Sequence, residues 1–182
     1  MKPLGLGWPN IISAFRVLLV PLLVALILEQ TRTASYVAAI VFAAGAFSDA
    51  LDGYLARRHA MVTGTGIWLD PLSDKIFVAA PIVTMTAIGT FPVWAAVIII
   101  AREVMVAVLR AYLGSKKTPM PASGVAKAKT AAQLFAISLY LLPLDASLGG
   151  LRFSVLLVAV ALTIYSGLDY LVKARSLAGT GR

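Results

Sequence analysis

The sequence predicts an all-α integral membrane protein of about six transmembrane helices in a single domain, and three observations predict it. The chain is 60% hydrophobic and only 13% charged over 182 residues, a balance that ordinary soluble domains do not show. Apolar runs long enough to cross a bilayer recur along nearly its whole length. Between them, carboxylates are concentrated in one stretch, Asp49 to Lys75, at helical spacing. Cysteine is absent, which leaves no disulfide framework and no thiolate site. The net charge of +8 sits between apolar spans and not on a soluble face, so anionic lipid and phosphorylated substrates are expected partners and nucleic acid is not.

Residues 1–10, with Lys2, Pro3, Trp8 and Pro9, read as a short interfacial segment that places Trp8 at headgroup depth. A first span is expected near 11–28, with Pro21 as a site of kinking. Arg16 within that run, and the lack of a small-residue cleavage site, favour a retained span over a cleaved signal peptide. A second span near 34–56 enters the acidic stretch, and a third near 65–88 leaves it. Pro71, near the start of the third, removes one amide donor where a local bend is tolerable. Phe91 and Pro92 mark a turn before a fourth span near 92–113, in which Arg102, Glu103 and Arg110 interrupt the apolar run and imply a cavity. Glu103 and Arg110 are seven residues apart and share a helix face, which would direct both to one pocket. The fifth and sixth spans fall near 125–144 and 151–172. Arg57, Arg58, Lys116, Lys117, Lys173 and Arg175 fall on one side of this arrangement and only Arg32 and Arg152 on the other, so both termini and the acidic stretch are expected to face the cytoplasm.

Read as helix, Asp49 and Asp52 share a face, with Gly53 and Arg57 on the adjacent strip, and Gly66, Asp70 and Asp74 form a second column. Two such columns on antiparallel helices would gather four like charges, whose repulsion protonation or a divalent metal would relieve. Hard oxygen ligands with small residues between them suit magnesium or manganese bridging phosphates. Structural carboxylates, a proton relay, or the acidic path of a cation transporter are the alternatives. Transport is disfavoured because such residues usually lie near the bilayer midplane on broken helices, whereas these lie toward helix ends. Arg110, Lys127 and Lys129, with Arg102 deeper, form a candidate phosphate-binding set. Lys116 and Lys117 read better as headgroup anchors.

The acidic stretch spells D-x2-D-G-x2-A-R-x8-G-x3-D-x3-D, filled at Asp49, Asp52, Gly53, Ala56, Arg57, Gly66, Asp70 and Asp74. This pattern resembles that of the CDP-alcohol phosphotransferases, integral membrane enzymes that displace CMP from a CDP-linked substrate with an alcohol. The resemblance implies that Asp49, Asp52, Asp70 and Asp74 hold two Mg2+ or Mn2+ ions, and that Asp74 is also the catalytic base. It further implies that Gly53, Ala56, Arg57, Gly66 and Thr63 line the nucleotide site, and that the protein is a homodimer of a bacterial-type inner membrane. PNIISAFRVLLVPL, AREVMVAVLR and AKAKTAAQ extend the likeness to members that join CDP-diacylglycerol to glycerol 3-phosphate. Ser13 stands where threonine is expected. Members that use phosphatidylglycerol or inositol phosphate as acceptor share the same core motif, which does not separate them.

Overall fold

A computed structural model describes the backbone of residues 8–59, 66–115 and 124–179, and the side chains of residues 15–48, 75–115 and 124–176. Among the described residues there are only helices: α1 (Trp8–Glu29), α2 (Arg32–His59), α3 (Gly66–Ala87), α4 (Val93–Ser115), α5 (Gly124–Leu141) and α6 (Gly149–Gly179), with a single 3₁₀ turn, Ala146–Leu148, before the last. The six helices fall where the apolar runs predict spans. By length and composition the segment Ala146–Ser176 is apolar enough to cross a membrane, and 39% of its most apolar window is buried.

Local chemistry explains the helix ends. Gln30 takes a left-handed conformation (φ 53°) after α1, and Thr31 caps α2, its Oγ1 accepting from the Ala34 amide at 3.1 Å. At the end of α3, Gly89 (φ 77°) donates to the Thr86 carbonyl at 3.1 Å while Thr90 donates to the Met85 carbonyl at 2.9 Å, a Schellman closure that only a residue without Cβ adopts cheaply. Several boundaries differ from the expected ones: α2 and α6 run past the apolar spans, to His59 and Gly179, and two other ends have a local cause. Trp8, Pro9 and Asn10 belong to α1 and not to a separate segment, since proline is well tolerated in a first helical turn; residues 1–7 lie outside the described set. The fifth helix stops at Leu141, short of 144, because Pro143 disfavours helical backbone at the residue before it. The helices continue through Pro21 and Pro71.

The chain divides into two compact units. One comprises residues 1–90 with 141–143, and the other residues 91–140 with 144–182. In the first, α1 packs on both α2 and α3. Its core takes Leu23 and Ile27 from α1, Ala34, Ala38, Ala39 and Phe42 from α2, and Phe77, Pro81, Ile82 and Met85 from α3. The alanines bring backbones close together, as helix contacts without a water-driven force require. At Gly45 an added Cβ would collide with the Phe77 ring. That ring cannot readily swing away, because it stacks on Phe42 at 5.4 Å and 6°. In the second unit α4 packs on α6, and Phe91 meets Tyr140 edge-on at 4.8 Å.

Gly45→Leu is expected to destabilise the protein by about 1–3 kcal/mol, the usual scale for overpacking. Combined with Phe77→Ala it should cost less than the two separate losses added together, because the second change vacates the space the leucine needs. Thermal unfolding of the four proteins in one detergent measures this, and strictly additive losses would show that the two side chains do not limit the approach of α2 to α3.

Candidate functional site

The backbone at all four motif aspartates is helical, Asp49 and Asp52 on α2, Asp70 and Asp74 on α3, while their side chains lie outside the described residues. So do the side chains of Gly53, Ala56, Arg57 and Gly66, and all of Thr63. The described contacts nevertheless define the stripe on which the aspartates fall. On α2, Phe42, Gly45, Asp49 and Asp52 follow one another at steps of three, four and three; on α3, Asp70, Asp74, Phe77, Pro81 and Thr84 follow at four, three, four and three. Steps of that kind keep to one helix face. The parts of these stripes that are described, Phe42 and Gly45 against Phe77, are in direct contact. Along the helix axes Asp52 and Asp70 are each seven residues from that contact, about 10 Å at 1.5 Å per residue, and Asp49 and Asp74 about half as far. Along each helix the stripe therefore passes, within one turn, from an aromatic contact position to acidic positions in the sequence. Beside it, a cavity of about 60 Å³ is lined by Phe15, Arg16, Leu19, Ala44, Gly45 and Ser48.

The second unit gathers the cations. Glu103 on α4 accepts at a single oxygen, Oε1, from Arg102 Nη1 at 3.2 Å and from Lys129 Nζ on α5. Arg110 donates to the Tyr170 hydroxyl on α6, and the guanidinium carbons of Arg102 and Arg110 stand 5.5 and 5.1 Å from the centre of the Tyr170 ring. Arg102 and Lys129 are 9% and 3% exposed, so two largely buried cations share one carboxylate, with the more exposed Arg110 held beside them by Tyr170. A second polar link positions α5. Gln133, one turn beyond Lys129, donates from Nε2 to Thr163 Oγ1 at 2.7 Å, and the Thr163 hydroxyl in turn donates to the Ala159 carbonyl at 2.6 Å.

Of the residues proposed to bind phosphate, the structure thus brings Arg102, Arg110 and Lys129 together. It leaves Lys127 exposed and without a hydrogen bond or ion pair to any described residue. Two residues apart on a helix is about 200°, so Lys127 and Lys129 cannot serve one cluster. Glu103 and Arg110 share a face as expected, yet they take different partners, Lys129 and Tyr170. Tyr170 itself escapes a reading by charge. Its one sequence signal is the series Thr163, Ser166, Tyr170, which keeps to one face of α6 at steps of three and four.

Residues 6–165 match the sequence profile of CDP-alcohol phosphatidyltransferase. The chain belongs to the CDP-alcohol phosphatidyltransferase family. It is 35% identical over 168 residues to a probable phosphatidylglycerophosphate synthase of Mycobacterium tuberculosis, an alignment covering 91% of this chain and 80% of that protein. It is 32% identical over 174 residues to the CDP-diacylglycerol–glycerol-3-phosphate 3-phosphatidyltransferase of Escherichia coli (92% and 94% covered), and 34% identical over 173 residues to the protein of that name in Salmonella choleraesuis (92% and 94%). The family consists of membrane enzymes that generally use divalent metals. Four carboxylates, on the two stripes that meet at Phe42, Gly45 and Phe77, are the hard oxygen donors such ions take.

The Gln133–Thr163 link yields an asymmetric prediction. Thr163→Val leaves a buried amide without its acceptor and should cost about 1–3 kcal/mol, whereas Gln133→Leu leaves Thr163 still bonded to Ala159 and should cost less. Unfolding of the two variants in detergent checks the order, and a larger loss in Gln133→Leu would refute it.

Proposed function

We propose that this phosphatidyltransferase moves the phosphatidyl group of CDP-diacylglycerol to glycerol 3-phosphate, giving phosphatidylglycerophosphate and CMP. The observation that carries the choice of acceptor is the cluster of Arg102, Arg110 and Lys129 around Glu103. Its formal excess of two positive charges suits a phosphomonoester dianion better than the single charge of phosphatidylglycerol. The names borne by the bacterial relatives agree with that choice.

Asp49, Asp52, Asp70 and Asp74 would hold two Mg2+ or Mn2+ ions, which neutralise the diphosphate and stabilise the departing CMP. Gly53, Ala56 and Gly66 leave room for the nucleotide, while Arg57 and Thr63 contact it. Arg102, Arg110 and Lys129 hold the acceptor's phosphate. Asp74 takes the proton of the acceptor hydroxyl as its oxygen attacks the phosphorus bearing diacylglycerol, and the bond from that phosphorus to CMP breaks in line. The protein works as one multi-pass domain and as a homodimer in a bacterial inner membrane. Its acidic motif faces the cytoplasm, the side that Arg57, Arg58, Lys116, Lys117, Lys173 and Arg175 mark as positive.

Purified protein supplied with CDP-diacylglycerol and magnesium should release CMP with glycerol 3-phosphate and far less with phosphatidylglycerol or inositol phosphate. Excess chelator should stop it. Preference for phosphatidylglycerol would move the enzyme to cardiolipin synthesis. In the same assay Asp74→Asn should lower kcat by about 10²-fold or more at saturating metal, the scale of a lost proton acceptor; full recovery on adding metal would instead make Asp74 a ligand only.

A further inference from the structure

Arg102 is confined on several sides. Its stem runs over Gly167, where an added Cβ would lie 3.2 Å from Arg102 Cγ. Its guanidinium lies 5.5 Å from the Tyr170 ring centre, and its Nη1 is tied to Glu103. What remains is the edge formed by Nε and Nη2, and both atoms are buried without a hydrogen-bond partner among the described residues. That edge carries two parallel N–H donors, the fork with which arginine grips two oxygens of one anion. Leaving such donors dry and unpaired is costly, which points to an anionic partner that is part of the working state.

Tyr170 is 1% exposed and is the group that the two guanidiniums share. Its ring attracts both through its π-face, and its hydroxyl accepts from Arg110, so one side chain offsets the repulsion between two like charges and sets their spacing. The residue lies beyond the segment that matches the family profile, which ends at residue 165.

We propose that Tyr170 is a positioning residue for acceptor recognition: it holds Arg102 and Arg110 apart and in register so that the free Nε–Nη2 edge of Arg102 and the Arg110 guanidinium grip one phosphate. This rests on the reading of the cluster as the acceptor's phosphate site. Gly167 contributes by leaving room for the Arg102 stem.

The test is steady-state kinetics of the purified full-length protein, varying glycerol 3-phosphate and CDP-diacylglycerol separately, for wild type, Tyr170→Phe and Tyr170→Leu, with thermal unfolding measured alongside. Tyr170→Leu removes both ring and hydroxyl and should raise KM for glycerol 3-phosphate about tenfold or more, the size of the two lost cation–π contacts taken together. Tyr170→Phe keeps the ring and should fall between that variant and wild type. KM for CDP-diacylglycerol, and kcat at saturating acceptor, should change less than about twofold in both. An unchanged acceptor KM in a folded Tyr170→Leu protein would overturn the proposal, as would equal rises in both KM values. If wild type itself does not use glycerol 3-phosphate, the acceptor assignment fails first, an outcome visible before any variant is compared.

Discussion

Phe77 stands where any side chain at position 45 would have to go, and the two helices carrying the acidic motif meet through that absence. The tip of the Phe77 ring reaches α2 only because position 45 has no Cβ, and the Phe42–Phe77 stack holds that ring in place. The consequence reaches one and two turns along both helices. Asp49 and Asp52 continue the stripe of Phe42 and Gly45, and Asp70 and Asp74 continue the stripe of Phe77, so the register set by packing is the register inherited by the carboxylates. A metal centre built from four charged side chains needs such a frame, because their mutual repulsion would otherwise part the helices that bear them.

The second unit handles charge burial in another way. Lys129 and Arg102 are nearly inaccessible, and one carboxylate oxygen of Glu103 serves both. Tyr170 then does for Arg102 and Arg110 what a second carboxylate would do, without cancelling their charge. An aromatic face attracts a cation while adding no negative charge, so the cluster stays formally positive.

Much of this was legible in the sequence, and the omissions have physical causes. The helices follow from apolar runs, and the acidic motif from carboxylates at helical spacing in a chain otherwise poor in charge. Helix ends were harder, because Pro143 acts on the residue before it and the Schellman closure at Gly89 depends on a backbone angle. Gly45 was passed over because a glycine in an apolar helix looks like any other small packing residue until its neighbour is known. Lys127 was grouped with Lys129 on charge alone, although helical periodicity already puts the two on different faces. Tyr170 was invisible for a different reason: its partner Arg110 is 60 positions away, and no local pattern links the two.

Electron paramagnetic resonance of the manganese-loaded protein tests the central claim most directly, since it reports how the carboxylates are disposed and does not depend on which acceptor is used. If the stripes bring the four aspartates together, the protein should take up two Mn2+ ions about 3.5–4 Å apart, whose spin coupling replaces the six-line spectrum of an isolated ion. Asp52→Asn and Asp70→Asn, one change on each helix, should each abolish the coupled signal. An uncoupled six-line spectrum at saturating manganese, unaffected by either substitution, would contradict the account.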